Sequence, residues 1–302
     1  MPGASKFPAG QHYVPEMLQK HFVDRRGMLY AFDRRRPEGG IYRSIPKGVF
    51  KERHIYTVTG PDGAPSDLVE KALGRFETAA DPIIERVLAH VRAGGGYDLT
   101  ADERFTLLLF LLVQLKRSPD FFRGLTFDEP VRDFAEKSIA AWVDQGGEVP
   151  PGERDKLLSP EGLKVIEQAA RMGALMTLSP LVLDALDARG LTIARITRPD
   201  RCFALGSLPT VRFLSPSGRR DLGDPGVELW LPIAPDIAIA SSGTRHENRV
   251  VHLDHDPSIR KFNQELARQS NAIASASREL VQSLVRRLPS TPEETAAITP
   301  RP

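Results

Sequence analysis

Four polar residues stand where side chains of their kind do chemistry: His12, Glu77, Gln114 and Arg117. His12 opens His12-Tyr13-Val14-Pro15, just ahead of a helix start. Free backbone amides at such a start bind anions and lower an imidazole pKa. An imidazole is the usual general acid or base near neutral pH; the same ring serves equally well as a backbone-bonded entry to the helix. Glu77 follows Glu70 by seven residues, which places both on one helical face, with Gly74 between them leaving room for approach. Two carboxylates so placed hold a divalent metal or divide into acid and base, and a solvated face accounts for them as simply. Gln114 shares the face of Leu107, Phe110 and Leu111, where an unbonded amide is costly, so a buried network with Glu77 or His12 is expected. Arg117 closes the same helix, as a dipole partner or as an anion clamp.

Other candidates carry less. His252-Leu253-Asp254-His255-Asp256 has the composition of a metal cluster, but its spacing is that of a strand-to-helix junction, with Asp256 as the expected cap. The lone Cys202 excludes an intrachain disulfide and a cysteine zinc cluster, and its apolar surroundings read as core. Gly206-Ser207-Leu208-Pro209 follows an apolar strand but is not a Gly-x-Ser-x-Gly elbow. The chain has no Walker loop, no Gly-x-Gly-x-x-Gly and no His-Glu-x-x-His, so no cofactor is strongly implied, and a divalent metal is the one left open.

These residues hang on a chain of 302 residues with a net charge of +2, which exerts no general pull on nucleic acid or membrane. Basic clusters such as Arg34-Arg35-Arg36 are scattered and flanked by acids. The positioning element is Thr100 to Pro119. Thr100 and Glu103 form a capping-box pattern, Leu107 to Val113 is apolar on every side, and Pro119 ends the run. At that length it is a core helix rather than a bilayer span.

Around it the expected order is a loose arm over 1–10, strands over 11–62, helices over 66–190, strands over 191–250 and one helix over 256–288. A Pro- and Thr-rich tail at 289–302 is expected to be disordered. Strand candidates include Met28 to Phe32 and Ile55 to Val58, with a turn at residues 60–63; Pro82 should kink or restart the first long helix, and Pro180 should break the last of the middle block. The order argues for a single α+β domain: a central helical bundle, a small antiparallel sheet built from N-terminal and C-terminal strands, and a closing helix. With no apolar leader, a cytoplasmic location is expected.

His12-Tyr13-Val14-Pro15 with Phe22, Leu29-Tyr30 to Asp33, and Pro46-Lys47 before Ile55-Tyr56 resemble the opening of an uncharacterised bacterial family. This is the domain of unknown function numbered four-two-three-eight, or the HYVP family after its first block. Glu70 and Glu77, Gln114 with Arg117-Ser118-Pro119, Phe203 to Val211, and Leu231 to Pro235 before the helix of Asn263 look like its later blocks. The resemblance covers about residues 11 to 285. It implies one architecture throughout and brings no reaction with it. Where related sequences carry a Ser-Asp-Asn-Pro-like turn, this chain has Gly206-Ser207-Leu208-Pro209, which admits a non-catalytic member.

Two functions are expected. One is a hydrolase or nuclease acting on a phosphate-containing small molecule or nucleic acid: His12 as acid or base, Arg117 as anion clamp, Gln114 and Glu77 as orienting groups, the Ser207 loop nearby. The other is a non-catalytic sensor or interaction module, accessory to bacterial defence, in which the same residues fix the core.

Overall fold

Strand-forming and helix-forming stretches succeed one another in blocks, and the fold keeps those blocks while pairing their strands at long range. The computed structural model describes residues 10–59, 64–96, 98–123, 131–219, 221–243 and 248–288. The N-terminal arm up to residue 9, the turn at 60–63 and the tail at 289–302 lie outside the described residues.

The opening block holds β1 (Gly10–His12), α1 (Glu16–Lys20), β2 (Leu29–Asp33), β3 (Tyr42–Ser44), β4 (Lys51–Arg53), β5 (Val58–Thr59) and β6 (Pro65–Ser66). These strands do not make one sheet. β1 pairs with β4 and β5 with β6, while β2 and β3 join a larger assembly. The strand expected over Ile55 to Val58 is instead mostly a turn, with His54 at a left-handed φ of 55°. Tyr56 explains it: its side chain turns fully inward, and its N–H donates to Gln11 Oε1 at 2.7 Å.

The middle block holds α2 (Leu68–Arg92), α3 (Ala101–Lys116), α4 (Pro119–Arg123), α5 (Val131–Asp144), α6 (Glu153–Leu157), α7 (Pro160–Met176) and α8 (Pro180–Asp187). α2 runs through Pro82 without restarting, since Ala80, Ile83, Ile84 and Val87 all bury on its apolar stripe and packing outweighs the lost hydrogen bond. α3 begins with both halves of its capping box: Glu103 N–H donates to Thr100 Oγ1 at 3.2 Å and Thr100 N–H to Glu103 Oε2 at 2.9 Å. Leu107, Leu108, Phe110, Leu111, Leu112 and Leu115 are buried along it, each contributing about 1.5–3 kcal/mol. The stretch Pro160–Asp187 meets the length and apolar composition of a membrane span, yet it is two helices, α7 and α8, broken at residues 177–179.

The last block holds β7 (Gly190–Ile196), β8 (Leu205–Gly206), β9 (Val211–Phe213), β10 (Glu228–Ala234), β11 (Ile237–Ser242), β12 (Arg249–Leu253), α9 (Asp256–Gln269), β13 (Ala272–Ser275) and α10 (Arg278–Val285). Strands β12-β7-β11-β10-β9 form a five-stranded sheet, antiparallel except where β12 runs parallel to β7. α3 lies against β7, β10 and β11. A second, antiparallel sheet has the order β3-β2-β13-β8, so N-terminal and C-terminal strands do share this one sheet, while the five-stranded sheet is built from C-terminal strands alone.

Two corrections fall in this block. The single closing helix is interrupted by β13, whose Ala-Ile-Ala-Ser sequence has no strong strand propensity of its own. Pairing with β2 on one side and β8 on the other decides its conformation, and all of it is buried. Asp256 does not cap α9. His255 holds that position without a side-chain bond, and Asp256 pairs with Arg201 and Arg260. One apolar core joins the blocks, from Tyr13 to Leu284. The architecture is α+β.

Candidate functional site

The end of α3 is where the blocks meet. Arg117 follows the last turn, held by its N–H on Val113 O at 2.9 Å, and only 2% of it is exposed. Its guanidinium donates to Glu77 Oε1 at 2.5 Å, to the His12 carbonyl at 2.7 Å and to the Tyr56 hydroxyl at 3.3 Å. Tyr56 returns its own proton to the Arg117 carbonyl at 2.9 Å, and its ring lies 5.5 Å from the guanidinium carbon. Burial alone would pull the Arg117 pKa down; Tyr56 and Glu77 outweigh it and hold the group charged. Burial also pushes the Tyr56 hydroxyl up to about 12, against the opposing pull of Arg117. Glu70 stands near the pair, pushed up first by burial and then by Glu77, with Arg117 opposing, and its Oε2 is buried without a partner.

Three of the four residues singled out in the sequence are thus in one cluster, but not in the roles expected. His12 enters through its main-chain carbonyl. Its imidazole is held below the usual range, by burial above all, with Glu16 opposing and Lys51 adding, and its Nε2 is buried without a partner. Gln114 is fully buried, and neither amide atom has a hydrogen-bond partner. No hydrogen bond joins it to Glu77 or His12; the Glu77 Oε1 and the carbonyl of His12 accept from Arg117 instead.

The Ser207 turn reaches the same corner through Ser118, whose hydroxyl donates to Ser207 O at 2.6 Å and accepts Asp120 N–H at 3.1 Å. Sequence reasoning missed the centre of this second knot, Asp120 with Asn271. Asp120 accepts the Ser207 hydroxyl, the Asn271 N–H at 3.0 Å and Asn271 Nδ2 at 2.6 Å. Ser207 Oγ in turn accepts Ala272 N–H at 3.1 Å. The packing is close at Gly206, where a Cβ would lie 2.3 Å from Ser270 Oγ and require that side chain to move. Nothing at Asp120 beyond a helix-starting Ser-Pro-Asp pattern hinted at a partner some 150 residues later, and Asn271 lay inside a stretch read as helix. The Ser207 hydroxyl is 1% exposed and fully engaged, so the turn is a fastener between α4, β8 and β13.

Solvent reaches a different wall of the same corner. A cleft of about 500 Å³ opens over Tyr13, between the end of β2 and strand β4, with Arg35, Arg36, Lys51 and Arg53 against Asp33 and Glu52. Arg35 is spoken for. It grips Asp33 with Nε at 3.0 Å and Nη2 at 2.9 Å, and Glu52 with Nη1 at 2.5 Å. Arg36, Lys51 and Arg53 have no ion-pair partner among the described residues. At the floor, Tyr13 packs edge-on to Phe50 at 6.2 Å, and burial pushes its hydroxyl up while Arg35 opposes. Such a wall attracts anions. Among the described residues no group of three or more His, Cys, Asp or Glu converges as a metal site, and burial raises the Cys202 thiol.

Comparison with curated proteins and with solved structures returns no match. A family model described as "Protein of unknown function (DUF4238)" matches residues 10–283, taking in β1, both knots and the cleft. The chain belongs to that family.

Proposed function

We propose that the chain is a recognition module that binds a phosphate-containing ligand, a nucleotide or a nucleic-acid strand, in the cleft over Tyr13. One observation carries this reading: Arg36, Lys51 and Arg53 face the cleft without carboxylate partners, while the acids beside them are taken by Arg35. The alternative anion clamp, Arg117, already spends its guanidinium on three internal acceptors. The module would work in the cytoplasm of a bacterial cell; the resemblance to a bacterial family supports the source, and the lone free thiol of Cys202 suits a reducing compartment.

A hydrolase is the second reading, and His12 favours it. Its imidazole is neutral near pH 7 with Nε2 unpartnered, and His12 sits opposite Lys51 of the cleft in the β1–β4 register. The experiment is a thermal-stability screen of the full chain against inorganic phosphate, nucleotides, oligonucleotides and divalent metals, followed by product analysis on any ligand that stabilises. A ligand at about 100 times its Kd adds about 2.7 kcal/mol. The recognition reading expects stabilisation without turnover. Turnover that His12→Ala abolishes installs the hydrolase reading, and a screen in which no phosphate compound stabilises the chain sinks both.

A further inference from the structure

The helical layer α5–α7 leaves an apolar groove of about 350 Å³ that the cleft over Tyr13 does not involve. Its walls are Phe134, Ile139, Trp142, Val149, Leu157 and Ile166. Along α5 only Ala135 is buried, and Phe134 and Trp142 are 54% and 57% exposed. Exposed aromatic side chains around a concave apolar surface mark an interaction site rather than a solvated helix face. The groove is also built in advance. Trp142 Nε1 donates to Glu148 O at 3.3 Å, and Gly147 lies so close under the indole that a Cβ would come within 2.2 Å of it. The ring is therefore fixed by the turn after α5 before any partner arrives.

Charge selects the partner. The charged residues lining the groove are Glu148 and Glu153, both acidic. Residues 131–187 carry ten acidic and six basic side chains, a net of −4 in a chain whose total is +2. That excess repels an anionic lipid surface. A second copy of the chain offers little: its own amphipathic helix α10, followed by Arg286 and Arg287, keeps Val281 and Leu284 buried in the fold. We propose that the groove receives an amphipathic helix of another protein, with apolar anchors at helical spacing and basic residues flanking them, in the helix-in-groove mode.

The test uses the full chain and two synthetic peptides of one amphipathic pattern, Leu/Lys and Leu/Glu, followed by fluorescence anisotropy, with sedimentation of the chain alone. The Leu/Lys peptide should bind at least about 10-fold tighter than the Leu/Glu peptide, and Trp142→Ala should weaken it by about 10-fold or more, the scale of one interface anchor. The double reversal Glu148→Lys with Glu153→Lys, both on the surface, should invert the preference even if Trp142→Ala does not fold. The proposal is overturned by any of three results. The Leu/Lys peptide does not bind, or binds regardless of the charge reversal; anionic vesicles bind at this face instead; or the chain self-associates through it.

Discussion

Replacing Gln114 by leucine should make the protein more stable. The side chain is fully buried in the last turn of α3, and both its Nε2 and its Oε1 lack partners. Burying an amide without compensation costs about 1–3 kcal/mol by mutational measure. Leucine is close in volume and keeps the helix, so little cavity or strain offsets the gain. The expected change is a stabilisation of about 1–3 kcal/mol, read from the midpoint of urea unfolding at unchanged slope. At roughly 2–4 °C per kcal/mol for a chain of this order of size, melting should rise by several degrees. A loss of about 1 kcal/mol or more in Gln114→Leu would refute the reasoning. The amide would then be bonded in the native protein, and the buried network expected from the sequence would be real.

Two further changes probe the cluster. Glu77→Ala leaves the buried Arg117 guanidinium without its carboxylate and should cost about 3 kcal/mol in urea unfolding, at the lower end for breaking a buried pair because Glu77 is partly exposed, with Glu77→Gln costing less. His12 sets a pH dependence. Its folded pKa lies below its ordinary 6.5, so the unfolded chain takes up the proton first, and stability present above about pH 6.5 should be lost as pH falls through the folded value. His12→Asn should flatten unfolding midpoints between about pH 7 and pH 5 without abolishing the dependence, since His21 is shifted in the same direction by burial.

How much of this was legible depended on how local the cause was. The capping box of α3, its apolar sides and the break between α7 and α8 follow from residues within a turn of one another, and they stand as read. The α+β order was likewise visible in the change of hydrophobic period. β13 was not, because four small and aliphatic residues become a central strand only through partners in β2 and β8, some 70 to 240 residues away. Arg117, Glu77 and His12 were recognised as neighbours from their types. The sequence could not say that His12 contributes its carbonyl, nor that Tyr56 would turn inward to complete the shell. Asp120 and Asn271 escaped for the same reason as β13. The cleft over Tyr13 escaped because its free cations are defined by which acids Arg35 takes, and that is a fact of three dimensions.

The most direct measurement is calorimetric titration of a stabilising phosphate ligand into wild type, the double variant Lys51→Glu with Arg53→Glu, and His12→Ala, each at low and high salt. Lys51 and Arg53 are exposed, so the double variant should keep the wild-type melting temperature. The account predicts that the charge reversal abolishes binding, that the wild-type affinity falls with salt, and that His12→Ala still binds. Full affinity in the double variant, with binding lost in His12→Ala, would contradict it and return the site to the end of α3.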